Sequence, residues 1–186
     1  MSTKNIVLVG PMGAGKSTIG LFLSKTLRIP FLDIDHEIEA RAGADISWIF
    51  EKEGEEGFRT RESNLLLELS QREGMVLATG GGAVEAERNR TILKSTGIVV
   101  YLAASVEQQL ARTAKDKYRP LLQTSNPRET LTNLMIKREP LYKEVAQITV
   151  STNQRSPRTV VKAILQKAEQ FGFINPINDA SSGRSD

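Results

Sequence analysis

No cysteine occurs among the 186 residues of the chain, so disulfide bonds, thiolate catalysis and cysteine-ligated zinc are excluded. The single histidine, His36, has no partner visible in the sequence, and we expect it to be a surface residue. Aromatic residues make up only 5% of the chain, and the basic residues form no dense run despite a net charge of +3. Without a basic stripe or an aromatic platform for stacking bases, a nucleic-acid-binding function is disfavoured.

The chain also lacks any run near the ~18 consecutive apolar residues that a membrane span requires. Residues Met1–Asn5 lead directly into an apolar strand, without the hydrophobic segment of a signal peptide. The composition, 39% hydrophobic and 25% charged, is typical of a globular domain. We therefore expect a cytoplasmic protein that binds no membrane, and a monomer, since no pattern specifies a partner surface.

The segment Gly10–Thr18 carries the most specific motif of the chain, G-x-x-x-x-G-K-[ST]. An apolar run precedes it and an amphipathic stretch follows, which is the strand–loop–helix context that the motif requires. Glycines let backbone N–H groups surround a phosphate, Lys16 can reach the β- and γ-phosphates, and the Ser17 hydroxyl can bind Mg²⁺. The alternative is a glycine-rich turn that merely caps a helix, but the agreement of motif, strand and helix favours nucleoside triphosphate binding.

Short apolar runs alternate with amphipathic stretches and predict the fold class. We expect strands near residues 5–9, 31–33, 75–78, 98–102 and 148–150, with helices between them. This alternation is typical of right-handed βαβ units. It predicts an α/β fold in which helices cover both faces of a parallel sheet.

The pattern further predicts one domain over residues 1–174, with excursions near 34–62 and 112–126. Residues 115–126 break the helical periodicity, and a loop of this length in a compact domain is often a lid or a binding loop. Residues 175–186 are rich in Asn, Ser and Gly, which is typical of a disordered tail.

Local signals predict where several helices begin and end. The expected N-caps are Asp45, Ser105 and Ser156. We expect residues 54–57, with two glycines, to break one helix, and Pro140 to end another. Residues 48–50 are expected in the core.

Two acids, Asp33 and Asp35, follow the second predicted strand, at the edge where open α/β sheets bind ligands. Alternate side chains of an extended segment point in opposite directions. One acid can therefore bind a metal ion while the other binds the molecule that accepts a phosphate. In many P-loop proteins an acid after this strand helps to hold Mg²⁺, but here the third strand is followed by Thr79. Asp33 is therefore the candidate carboxylate for holding Mg²⁺. The alternative is that Asp35 simply caps the next helix.

Three arginines and a glycine triplet are further candidates for ligand binding. Arg59 opens a helix, where its charge opposes the dipole, so either an anion or a neighbouring glutamate is its expected partner. Arg119 lies in the irregular segment, and Arg138 is a candidate carboxylate clamp. Gly80–Gly82 would permit close approach of the backbone to a ligand.

Together these residues resemble the shikimate kinase family, over residues 5 to about 170. The segments that carry the resemblance are Gly10–Thr18, Asp33-x-Asp35, Gly54-Glu-Glu-Gly-Phe-Arg59, Gly80–Gly82, Arg119-Pro-Leu-Leu122 and Arg138-x-Pro-Leu-Tyr142. The resemblance implies a three-layer P-loop NTPase fold with a five-stranded parallel sheet, a substrate-binding region at about 34–62 and a lid at about 112–126. It implies Mg²⁺- and ATP-dependent phosphorylation of the 3-hydroxyl of shikimate, on the route to chorismate and the aromatic amino acids.

The resemblance also implies roles for individual residues. Lys16, Asp35 and Arg119 would be catalytic, with Asp35 holding the reacting hydroxyl as its base or orienter. The implied ATP-binding residues are Gly13, Ala14, Gly15, Lys16, Ser17, Thr18, Arg119 and Arg155. The implied metal ligands are Ser17 and, through water, Asp33. The implied shikimate-binding residues are Asp35, Arg59, Gly81 and Arg138.

Two alternatives remain open from the residues themselves. One is a kinase for another small hydroxy acid such as gluconate, because an arginine pair suits any small carboxylate. The other is a non-catalytic nucleotide-binding regulatory module, which would leave Asp35, Arg59 and Arg138 without a purpose.

Overall fold

The computed structural model describes residues 4–114 and 124–174. Arg119, most of the predicted lid and the predicted tail lie outside these residues. Within them, the strands are β1 Asn5–Val9, β2 Phe31–Asp33, β3 Val76–Ala78, β4 Gly97–Ala103 and β5 Ile148–Ser151. The helices are α1 Lys16–Leu27, α2 Ile34–Ala42, α3 Ile46–Leu69, α4 Glu87–Thr96, α5 Val106–Thr113, α6 Pro127–Val145 and α7 Pro157–Gln170, with a short 3-10 helix at Ala83–Glu85.

The five strands form one parallel sheet in the order β2-β3-β1-β4-β5. Every residue of β1 is buried, as expected for an apolar strand at the centre of a covered sheet. Because β1 lies between β3 and β4, the segments that follow β1, β2 and β3 meet at the carboxyl edge of the sheet. The predicted parallel α/β fold is confirmed, and this edge is where its ligand site is expected.

Two apolar clusters cover the two faces of the sheet. Alternate residues of β1 divide between them, with Val7 and Val9 in one cluster and Ile6 and Leu8 in the other. The first cluster includes side chains of α2, α3, α4 and α6, and the second includes side chains of α1 and α7. Burial of these aliphatic side chains is the main force that fixes the three layers.

The predicted N-caps are confirmed. Asp45 accepts a hydrogen bond from the Trp48 amide, and Ser105 and Ser156 accept from the third residue after each of them. Each side chain satisfies an amide of the first helical turn that has no partner within its own helix.

Pro140 does not end its helix, contrary to expectation, because α6 continues to Val145. Proline removes one hydrogen-bond donor, and buried Arg138 and Tyr142 hold the helix on either side of it. The predicted break at residues 54–57 narrows to Gly54, whose φ of 70° and ψ of 179° kink α3, while the next residues are helical.

Trp48 is 48% exposed, so its expected place in the core was wrong, whereas Ile49 is buried as expected. His36 is exposed, as expected. In the described parts of the chain, no helix combines the length and the apolar character needed to cross a bilayer.

Candidate active site

The loop after β1 has the backbone of a phosphate-binding loop. Gly10, Gly13 and Gly15 have φ values of 145°, 73° and 88°, which other residues rarely adopt. A Cβ atom on Gly10 would lie 2.5 Å from the Leu102 carbonyl oxygen of β4, so a side chain is also excluded by space. Gly15 is the N-cap of α1, and the N-terminal amides of this helix suit an anion.

Lys16 lies across this loop. Its ammonium group donates hydrogen bonds to the carbonyl oxygens of Gly10 at 2.8 Å and Pro11 at 2.9 Å. The positive charge is therefore held beside the anion site, where the sequence motif predicts it.

Ser17 and Asp33 bring two hard oxygen donors together. The Ser17 hydroxyl donates to Oδ2 of Asp33 at 2.5 Å, joining the start of α1 to the end of β2. Hydroxyl and carboxylate oxygens are the ligands that Mg²⁺ prefers, so the pair fits this ion. Residues 4–114 and 124–174 contain no cluster of three or more His, Cys, Asp or Glu side chains suited to a metal, so further ligands would come from phosphate and water.

Asp33, and not Asp35, caps α2, because its Oδ1 atom accepts from the Asp35 amide at 3.1 Å. The alternative that Asp35 serves as the cap is therefore wrong. Asp35 lies in the first turn of α2, and a Cβ atom built on Gly80 would lie 2.9 Å from its Oδ1. Its carboxylate thus lies against the glycine triplet that follows β3.

The glycine triplet is a point at which charged side chains converge. A Cβ atom on Gly80 would also overlap the Glu62 carboxylate, and one on Gly82 would overlap the Arg59 guanidinium. A Cβ atom on Gly81 would lie 3.7 Å from Nη1 of Arg138. Three consecutive residues without side chains therefore make room for four charged groups.

Arg59 is paired with two glutamates of its own helix. It donates to Glu62 at 2.9 Å and to Glu55 at 3.1 Å, and its guanidinium lies 5.2 Å from the centre of the Phe58 ring. Burial lowers the pKa of Arg59, but the two carboxylates outweigh burial and raise it overall. The pairing with glutamate considered for Arg59 is present, and the guanidinium also lies against the triplet.

Arg138 is only 3% exposed, and its Nε atom donates to Glu85 at 2.6 Å. Lys137 pairs with the other carboxylate oxygen of Glu85. Burial raises the pKa of Glu85, but the two cations outweigh it and lower the pKa overall. Glu85 therefore remains charged and fixes the orientation of the Arg138 guanidinium.

Glu62 was not predicted as a site residue. Its side chain is fully buried, with Oε2 bound to Arg59. Burial raises its pKa to about 7 and Asp35 adds to the rise, while Arg59 and Arg138 act in the opposite direction. Its spacing of three residues from Arg59 on one helix was the available signal, and it indicated only an ion pair.

A cleft opens beside the phosphate loop, with Thr18, Arg155 and Pro157 in its lining. Arg112 also lines it and donates to the carbonyl oxygens of Gly13 at 2.8 Å and Thr152 at 3.0 Å. Arg112 was missed because nothing in its sequence surroundings distinguishes it from a surface arginine of α5. Through this contact the cleft adjoins the phosphate loop.

The described site thus brings Lys16, Ser17, Asp33, Asp35, Arg59, Gly81 and Arg138 to one edge of the sheet, with Arg155 in the adjoining cleft. Arg119 lies outside the described residues, and its role at the phosphates stays a prediction.

Comparison with known proteins gives consistent results. Residues 12–169 match the family model for shikimate kinase. Shikimate kinase of Pseudomonas fluorescens (strain Pf0-1) is 58% identical over 168 residues, 90% of this chain and 98% of that protein. The structure of shikimate kinase from Acinetobacter baumannii in complex with shikimate has a TM-score of 0.89 at 56% identity, over 90% of this chain and 94% of that one. A gluconokinase from Sinorhizobium meliloti 1021, at 17% identity and a TM-score of 0.56 over 94% of this chain and 98% of its own, shares the fold alone.

The raised pKa of Glu62 predicts a pH dependence of stability. Between about 4.5 and about 7 the folded chain keeps a proton on Glu62 that the unfolded chain has released. The free energy of unfolding should therefore fall as pH rises through this window, by on the order of 3 kcal/mol in full. Urea denaturation at several pH values measures this change.

Glu62→Gln should remove this component, whereas Glu56→Gln at an exposed position of the same helix should leave it in place. An identical pH profile for wild type and Glu62→Gln would contradict the assignment.

Proposed function

This chain belongs to the shikimate kinase family, and on that premise we propose that it transfers the γ-phosphoryl group of ATP to the 3-hydroxyl of shikimate. The observation that carries the proposal is the convergence of Asp35, Arg59 and Arg138 on the glycine triplet. A Cβ atom on Gly81 would lie 3.5 Å from the Met12 amide of the phosphate loop, so the acceptor side and the phosphate side are in contact.

On the phosphate side, the amides of residues 13–18 and the Lys16 ammonium bind the triphosphate and stabilise the charge of the transferring group. Ser17 directly, and Asp33 through water, would hold Mg²⁺. When bound, this ion neutralises charge on the β- and γ-phosphates.

On the acceptor side, Asp35 accepts a hydrogen bond from the 3-hydroxyl and takes its proton as the oxygen forms a bond to the γ-phosphorus. The bond between this phosphorus and the bridging oxygen breaks, and ADP leaves. Such transfer depends mainly on alignment and charge neutralisation, so the placement of Asp35 near the phosphate loop suits the role.

Arg59 and Arg138 bind the carboxylate of shikimate, with Gly81 contributing a backbone contact. Nε of Arg138 is occupied by Glu85, and its Nη1 atom lies on the side of the triplet. Planar guanidinium groups bind carboxylates in paired, directional hydrogen bonds, which is why arginine suits this position better than lysine.

Arg119, in the segment of about 112–126 that the sequence predicts as a lid, would act at the phosphates, and Arg155 would contact the nucleotide in the cleft that it lines. The protein acts as a cytoplasmic monomer with one kinase domain over residues 1–174, without nucleic acid or membrane as a partner.

Coupled ADP release with Mg-ATP tests the proposed reaction, with shikimate, quinate, gluconate or no acceptor in parallel. We expect strong release with shikimate alone. Strong release with gluconate would favour the other small-acid kinase, and equal slow release in all four reactions would indicate a nucleotide-binding module without an acceptor.

Asp35→Asn should lower kcat by roughly 10²- to 10⁴-fold, because the amide cannot take the hydroxyl proton, while ATP affinity should change little. Steady-state kinetics and calorimetric ATP titration measure the two quantities. Asp45→Asn is the matched control, since Asp45 is an exposed N-cap of α3 and asparagine also caps helices well. Equal losses of kcat and ATP affinity in Asp35→Asn would count against its role on the acceptor side.

A further inference from the structure

A buried tyrosine is hydrogen-bonded to the glycine triplet. The Tyr142 side chain is fully buried, and its hydroxyl donates a hydrogen bond to the Gly81 carbonyl oxygen at 2.5 Å. We infer that Tyr142 is a positioning residue that fixes Gly81 and thereby sets the affinity of the acceptor pocket. This inference rests on the proposed function.

Gly81 needs such a restraint because of its neighbours in the chain. Glycine has the largest conformational freedom of all residues, and three in succession form an intrinsically loose segment. A binding site must instead hold its contacts within a fraction of an ångström. A hydrogen bond from a buried side chain to the central carbonyl limits the orientations that the triplet can adopt.

Gly81 lies where the orientation of its peptide affects neighbouring groups of the site. The site of its missing Cβ is 3.5 Å from the Met12 amide, 3.6 Å from the Gly10 carbonyl oxygen and 3.7 Å from Nη1 of Arg138. The residue therefore lies between the phosphate loop and the carboxylate clamp. A rotation of its peptide would change the contact offered to the acceptor and the packing against Arg138.

The ring of Tyr142 is itself held by a second tyrosine. Its ring stacks on Tyr101 of β4, with centroids 5.1 Å apart and planes inclined by 23°. Tyr101 is in register with Val9, the last residue of β1 before the phosphate loop. The restraint on Gly81 is thus anchored to the centre of the sheet.

Arg138 and Tyr142 lie four residues apart on α6 and are both buried, so one face of this helix supplies both contacts. Pro140 lies between them and cannot donate a hydrogen bond within the helix. The contacts of Arg138 with Glu85 and of Tyr142 with Gly81 hold this stretch of α6 against the triplet. A tyrosine hydroxyl is protonated at neutral pH, and burial raises the pKa of Tyr142 further, so the hydroxyl is a donor.

The test is Tyr142→Phe, which retains the ring and its stacking but removes the hydroxyl. We expect KM for shikimate to rise roughly five- to twentyfold, with KM for ATP changed less than about twofold, because the contacts of the hydroxyl with the Gly81 carbonyl oxygen and with Arg138 both lie on the acceptor side. Tyr101→Phe is the matched control, since it removes a hydroxyl from the same buried ring pair without touching the Gly81 contact. It should leave both KM values near those of wild type.

Hydrogen exchange provides a second readout in the folded variants. The amides of residues 80–82 should exchange faster in Tyr142→Phe and not in Tyr101→Phe. Unchanged KM for shikimate, equal rises of both KM values, or the same pattern in Tyr101→Phe would overturn the inference. Wild-type protein without shikimate-dependent ADP release would instead refute the proposed function, which separates the two failures.

Discussion

The absence of side chains at residues 80–82 is the constraint on which the site depends. Any Cβ atom at Gly80 or Gly82 would occupy space held by Glu62 or Arg59. Because the triplet follows the strand next to β1, this space lies beside the phosphate loop. A parallel sheet with strand order β2-β3-β1-β4-β5 therefore brings two acids, Asp35 and Glu62, and two arginines, Arg59 and Arg138, to the triplet beside the phosphate loop.

Both arginines of the site have carboxylate partners. Arg59 is held by Glu62 and Glu55, and Arg138 by Glu85. A buried charge without a partner is strongly unfavourable, so these pairs keep the guanidinium groups ordered before substrate arrives. Under the proposed function, a substrate carboxylate would meet two guanidinium groups that are already oriented.

Sequence patterns were sufficient for the features that depend on neighbouring residues. The five strands, the phosphate loop, the two acids after β2 and the caps at Ser105 and Ser156 follow from local composition. Glu62 and Arg112 were missed because their importance arises from tertiary contacts with residues of other elements. The prediction that Pro140 ends its helix was wrong. Proline locally favours a helix end, but the burial of Arg138 and Tyr142 on either side stabilises the continued helix.

Calorimetric titration of shikimate and, separately, of ATP into Gly82→Ala tests whether the triplet makes room for the acceptor site. The added methyl group occupies the space of the Arg59 guanidinium, so we predict that shikimate affinity falls at least about tenfold while ATP affinity is retained. Wild-type shikimate affinity in this variant would contradict the claim that the triplet makes room for the acceptor site.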